Sequence, residues 1–201
     1  MHIEYFFDCS SPWTYLSFSR ICKLLARYEF ELKLRPILVG GIFNTINPSV
    51  YETRDHPVAA KQRYYSKDLA DWARYEGISI GSPPVFPVNS VKVMRGCFVA
   101  EEAGLAVPYI ESCFRRYWSE LEDISDNRVI GSILAEVGLN ETRFFESINK
   151  ADYKQKLRRN TDELMSRGGF GSPTFFIDHT DMYFGNDRLQ LIELKLKGAT
   201  S

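Results

Sequence analysis

Apolar and polar positions alternate in three different ways along this chain. Residues His2 to Phe7 form a short apolar, aromatic run that stops at Asp8, which predicts a buried strand. After Cys9-Ser10-Ser11-Pro12, the residues Tyr15, Phe18, Cys22 and Leu25 fall at helical spacing, predicting an amphipathic helix from 12 to about 28. Serine followed by proline suits a helix start, with serine as cap and proline in the first turn. Phe30 to Arg35 then alternates apolar and charged residues at the period of a strand. The opening therefore reads strand, helix, strand, and the helix is long enough for a right-handed parallel crossover.

The C-terminal pattern differs. Thr174 to Asp178 is strand-like, His179-Thr180-Asp181 reads as a turn, and Met182 to Phe184 pairs back. Gly185-Asn186-Asp187 opens a last helix carrying Leu189, Ile192 and Leu196. Between the two ends, helical spacing covers 58–76, 90–103, 108–120, 126–137, 141–149 and 152–166. Asn89-Ser90, Ser125-Asp126 and Asn140 are legible starts, and Gly77, Gly104 and Gly138 legible ends. Segments 40–57 and 78–89, rich in turn residues, are expected to be loops. The assembled pattern is βαβ, a helical block, then ββα. That is an α/β chain of thioredoxin-like topology, with residues 1–39 and 168–201 forming one domain and 40–167 an all-helical insertion.

Composition narrows the function classes. The chain has 201 residues with 44% hydrophobic and 25% charged, which fits a folded globular protein rather than a disordered one. Twenty-five basic residues against 26 acidic ones leave no basic excess for nucleic acid or a membrane surface. No apolar run reaches a membrane-spanning length, and the N-terminus lacks the pattern of a signal peptide, so a cytoplasmic protein is expected. Cys9, Cys22, Cys97 and Cys113 form neither a Cys-x-x-Cys pair nor a zinc spacing. Buried or half-buried free thiols are expected for the last three. His2, His56 and His179 are scattered along the chain, and no metal site is expected.

Three places carry candidate chemistry. Ser11-Pro12-Trp13-Thr14 lies where a strand ends and a helix begins, a position that favours anions. Ser11 either caps the helix only or also donates a hydrogen bond to a thiolate or oxyanion. Gly171-Ser172-Pro173-Thr174 precedes a strand, where a proline is confined to the start or edge. Its peptide is either an ordinary trans turn or cis, leaving the preceding backbone free for an extended ligand. In Gly185-Asn186-Asp187-Arg188, the Asn186 or Asp187 side chain either caps the last helix or Asp187 holds a ligand ammonium.

Taken together, these residues resemble the 2-hydroxychromene-2-carboxylate isomerases and kappa-class glutathione transferases, of the disulfide-bond-oxidoreductase-like group of thioredoxin folds. The resemblance is carried by Phe7-Asp8, Ser11-Pro12-Trp13-Thr14-Tyr15-Leu16, Gly40-Gly41-Ile42-Phe43 and Lys61. It continues through Trp118 and Asp123-Ile124-Ser125-Asp126, then Gly169 to Phe175 and Phe184 to Leu189, spanning residues 2 to about 196.

The resemblance implies a glutathione cofactor and a homodimer. Ser11 and Thr14 stand where oxidoreductases of this group have Cys-x-x-Cys, so it implies no disulfide exchange. It makes Ser11 the catalytic hydroxyl on the glutathione sulfur, and puts Asn47 and Lys61 on the glutathione backbone or glycine carboxylate. Ser172, before Pro173, would pair its main chain with the cysteinyl part, and Asn186 and Asp187 would hold the γ-glutamyl end. Trp13, Phe43, Tyr64 and Trp72 are either substrate-site or core aromatics. The implied reaction converts 2-hydroxychromene-2-carboxylate to trans-o-hydroxybenzylidenepyruvate. A kappa-like transferase or peroxidase, or a non-catalytic glutathione- or peptide-binding module, are the alternatives. The chain departs from the family pattern in having Cys9-Ser10 before the serine, so Cys9 is either a reactive or a packed thiol. It also has Ile46 where glycine is common, which makes Asn44 the alternative to Asn47.

Overall fold

The structure, a computed structural model, describes residues 1–199. Its sheet has four strands in the order β2-β1-β3-β4: β1 (His2–Phe7), β2 (Glu31–Pro36), β3 (Thr174–Ile177) and β4 (Asp181–Phe184). β1 and β2 are parallel, joined across α1 (Pro12–Arg27). β3 is antiparallel to both β1 and β4. The two ends of the sequence thus build one sheet, as the βαβ and ββα patterns require. Asp178 and His179 turn the β3–β4 hairpin with positive φ (44° and 70°), the left-handed conformation that a tight hairpin demands.

α1 lies on the sheet through Tyr15, Leu16, Phe18, Ile21 and Leu24, all buried. The expected stripe ending in Cys22 and Leu25 is shifted. Cys22 is half-buried and Leu25 exposed, because Ile21 and Leu24 continue the face begun by Phe18. Tyr5, Phe7 and Phe175 meet α1's Phe18 on that side of the sheet. The opposite face holds a smaller core of Phe6, Ile37, Ile42, Leu164 and Phe176.

The helical block comprises α2 (Val39–Thr45), α3 (Ser49–Asp55), α4 (Ala59–Glu76), α5 (Val91–Glu102), α6 (Ala106–Phe114), α7 (Asn127–Val137), α8 (Glu141–Asn149) and α9 (Ala151–Ser166). A π-helical turn, Arg115–Ser119, extends α6. Asp126 and Asn140 cap α7 and α8 through their side chains, while Gly77 and Gly138 end α4 and α7 in the left-handed conformation. The larger core runs without interruption from β1 and α1 into α5–α8.

Segment 40–57, expected to be a loop, contains α2 and α3. Each has seven residues, too few for a period to show, and α2 includes two glycines. Burial of Val39 and Ile42 supports α2 where local propensity is weak. The proline-rich segment 78–89 has no regular element, as expected. A 3₁₀ turn, Asn186–Arg188, leads into α10 (Leu189–Ala199), which buries Leu189, Ile192 and Leu196.

Candidate active site

Where β1 ends, Asp8 is buried and acts as a tie. Its Oδ1 accepts from the Ser10 N–H at 2.9 Å and its Oδ2 from the Val39 N–H at 2.9 Å, joining the turn after β1 to the start of α2. Burial pushes the Asp8 carboxyl above its ordinary range, against the opposing pull of those two N–H donors.

Ser11 follows in extended conformation (φ −108°, ψ 125°) as the cap of α1. Its Oγ accepts from the Thr14 N–H at 3.3 Å and donates a long 3.4 Å contact to the Ser172 carbonyl. The hydroxyl therefore caps the helix and also faces the 171–173 loop. The first turn of α1 contains no acidic residue, so its positive end is not neutralised from within.

The Ser172–Pro173 peptide is cis. Ser172 Oγ accepts from the Asp8 N–H at 3.1 Å and shares a 2.8 Å hydrogen bond with Thr14 Oγ1. Thr14 thus locks two segments together, one reason a hydroxyl suits that position. The Ser172 N–H has no protein acceptor among the described residues.

Ser11 and Ser172 open onto a cleft of about 540 Å³. Trp13, Phe43, Tyr65, Phe86, Phe170 and Phe184 supply aromatic walls, and no lysine or arginine is among the described residues that line it. Three helices begin there: α1 at Pro12, α2 at Val39, whose N–H is taken by Asp8 Oδ2, and α5 at Val91, whose N–H is accepted by Asn89 Oδ1 at 3.2 Å. None of the three has an acidic residue in its first turn, so their backbone N–H groups favour an anion.

Other predicted residues divide. Asn47 lines the cleft, donating through Nδ2 to the Phe170 carbonyl at 3.3 Å and accepting from Ser49 Oγ at 2.9 Å. Asn44, the alternative, lies outside the lining and accepts from the Tyr51 hydroxyl at 2.8 Å. Lys61 is exposed near the start of α4, outside the lining. Trp13 and Phe43 are walls of the cleft, whereas Tyr64 and Trp72 are not. Tyr64 is 65% exposed; its neighbour Tyr65 turns inward and meets Trp13 edge-on at 5.4 Å. Trp72 lies two helical turns beyond Tyr65, edge-on to Tyr75 at 5.7 Å. Buried Asn186 and half-buried Asp187 lie outside the lining, in the turn after Phe184 that packs on α1. Asp187 is ion-paired with Arg188 at 2.6 Å.

Cys9 is a packed thiol. It is fully buried, its N–H points at Met94 Sδ (3.4 Å) and its carbonyl accepts from Trp118 Nε1 at 2.9 Å. Burial pushes its thiol well above the ordinary range, which opposes reactivity. Cys97 and Cys113 are buried and Cys22 half-buried, all unpaired as expected. Tyr65, Phe86, Asn89 and Phe184 were not anticipated as lining residues. Phe86 and Asn89 border a proline-rich turn and a helix start that the sequence does mark.

Comparison with known proteins agrees with this fold. The family described as DSBA-like thioredoxin domain matches residues 2–197. The chain is 28% identical to a 2-hydroxychromene-2-carboxylate isomerase of Pseudomonas putida, over 96% of this chain and 93% of that protein. It is 26% identical to glutathione S-transferase kappa 1 of Rattus norvegicus, over 94% and 88% respectively. A solved 2-hydroxychromene-2-carboxylate isomerase superimposes with a TM-score of 0.86 at 23% identity, covering all of this chain and 96% of the other. No helix among the described residues is long and apolar enough to cross a membrane. On this evidence the chain belongs to the DsbA-like thioredoxin-domain family, with 2-hydroxychromene-2-carboxylate isomerases and kappa-class glutathione transferases among its relatives.

Proposed function

We propose that this chain is a glutathione-dependent isomerase acting on 2-hydroxychromene-2-carboxylate. The observation that carries the reading is the Ser11 hydroxyl at the uncompensated start of α1, opposite Ser172, on an aromatic cleft. A thiol bound there gains a hydrogen-bond donor and a helix N-terminus, both of which favour its ionised form. Ser11 keeps its proton and donates it in a hydrogen bond to the sulfur. The Ser172 N–H pairs with the cysteinyl part of glutathione, and Asn47 contacts its backbone. Asn186 and Asp187 hold the γ-glutamyl end.

The thiolate adds to the conjugated carbon–carbon double bond of the ring-opened substrate, and the electron pair moves onto the 2-oxo acid as an enolate. The former double bond is now single and rotates. Return of the electron pair expels the thiolate, giving trans-o-hydroxybenzylidenepyruvate and unchanged glutathione. Trp13, Phe43 and Tyr65 flank the flat substrate.

A second reading is a kappa-like transferase, supported by the similarity to glutathione S-transferase kappa 1: the same thiol site beside the aromatic walls of the cleft suits an electrophile other than the chromene carboxylate. Turnover of 2-hydroxychromene-2-carboxylate with catalytic glutathione distinguishes the two. An isomerase forms the trans product without consuming glutathione, and Ser11→Ala lowers kcat/KM by about 100-fold or more. Consumption of glutathione into a conjugate with an aryl halide, without isomerisation, would move the assignment to transfer. Saturable glutathione binding with no turnover of either kind would leave a binding module and refute the catalytic reading.

A further inference from the structure

His2 opens β1 at the end opposite the cleft, roughly 17 Å of strand away from Phe7. Strand alternation puts His2 and Glu4 on one face. The antiparallel pairing of β1 with β3 then brings the hairpin-turn residue His179 beside them, across 177 positions of sequence. The His2 and His179 rings lie 4.8 Å apart, and one donor atom from each of His2, Glu4 and His179 lies within 4.8 Å of the other two. His179 Nδ1 is 3.4 Å from Glu4 Oε2.

The Glu4 side chain is only 4% exposed, and His2 Nε2 is buried with no hydrogen-bond partner among the described residues. Buried polar atoms are normally satisfied, so the His2 nitrogen calls for an explanation. Across the parallel ladder, Glu31 Oε2 stands 3.1 Å from His2 Nδ1. A carboxylate there keeps the proton on Nδ1 and leaves the lone pair on Nε2, the tautomer that ligates a metal.

We propose that His2, Glu4 and His179 form a binding site for a divalent transition-metal ion, zinc above all. Two imidazoles and one carboxylate are an established zinc set, with water completing the tetrahedron. Two guanidiniums also face Glu4: Arg167 Nη2 is 2.7 Å from Oε2, and Arg35 Nε is 3.6 Å from Oε1. Both have a second carboxylate in Glu163, and Arg167 also donates to the His179 carbonyl at 2.9 Å and lies over the Phe176 ring. They therefore stay anchored through Glu163 when an ion approaches Glu4 from the side of His2 and His179, and they limit its affinity. The ion ties the start of β1 to the β3–β4 turn, independently of the glutathione cleft.

The test uses untagged, chelator-washed full-length chain, titrated with zinc chloride by calorimetry and with cobalt chloride by absorption. One equivalent binds in the micromolar range, and the cobalt spectrum shows no thiolate charge-transfer band. His179→Ala, at a 71% exposed side chain, weakens binding at least tenfold. Glu31→Gln, a positioning change, weakens it by about tenfold. Ser11→Ala binds the metal normally. No binding up to millimolar metal would overturn the proposal. So would an affinity indifferent to His179→Ala, or a thiolate band placing the ion on a cysteine.

Discussion

Replacing Ser172 by alanine deletes one oxygen and leaves two buried donors facing the gap. The Asp8 N–H loses its acceptor at 3.1 Å, and the Thr14 hydroxyl loses its only hydrogen-bond partner among the described residues, at 2.8 Å. Thr14 is fully buried and Ser172 is 9% exposed, so water replaces neither bond easily. Each unsatisfied buried group costs about 1–3 kcal/mol, so the sum for Ser172→Ala is about 2–6 kcal/mol. For a chain of this length that lowers Tm by roughly 5–25 °C. Thr14→Val keeps the shape and leaves Ser172 Oγ bonded to Asp8, so it costs about 1 kcal/mol. In the double variant the Thr14 hydroxyl is already gone, and Ser172→Ala costs about 1 kcal/mol less than in the wild type. Urea unfolding of the four proteins measures the cycle. Strict additivity, or a Ser172→Ala cost below about 0.5 kcal/mol, would refute the claim that these hydroxyls hold the two loops in register.

Further predictions concern charge and ligand contacts. Because burial raises the Asp8 carboxyl in the folded state, the native protein holds that proton more tightly than the unfolded chain. Stability from this source is fullest below the ordinary carboxyl range and is lost as pH rises through the raised value, at up to about 1.4 kcal/mol per pH unit. The stability difference between wild type and Asp8→Asn therefore falls with rising pH in urea titrations; a difference that rises would contradict the assignment. Asn47→Ala weakens glutathione binding by about fivefold to tenfold, the loss of one hydrogen bond. Lys61→Ala, outside the cleft, changes it by less than about twofold at physiological salt. Calorimetry showing the larger loss at Lys61 would reverse that placement.

The ends of the chain were legible because their periods are unambiguous. Glu31 to Arg35 alternates strictly, and Leu189, Ile192 and Leu196 keep helical phase. Ser11 and Ser172 were legible as local motifs at a helix start and before a strand. Their mutual contact was not, since 161 positions separate them and only the β1–β3 pairing brings them together. Position within a weakly amphipathic helix was harder to read. On α4 the neighbouring Tyr64 and Tyr65 point about 100° apart, and only packing against Trp13 decides which faces the cleft. The same non-local pairing explains the histidines: His2 and His179 look scattered in sequence and adjoin in the fold. α2 escaped notice because its stability comes from Ile42 buried among Phe6, Leu164 and Phe176, not from its own propensity.

The central claim is that the cleft at Ser11 binds the glutathione thiolate. Thermal unfolding of the purified chain against increasing reduced glutathione, repeated with Ser11→Ala, tests it most directly. The account predicts a saturable stabilisation of about 2.7 kcal/mol at 100 times the dissociation constant. Ser11→Ala should need markedly more glutathione to reach it, while S-methylglutathione, which cannot ionise, should show little difference between the two proteins. No stabilisation up to millimolar glutathione, or equal affinity with and without the Ser11 hydroxyl, would contradict the account.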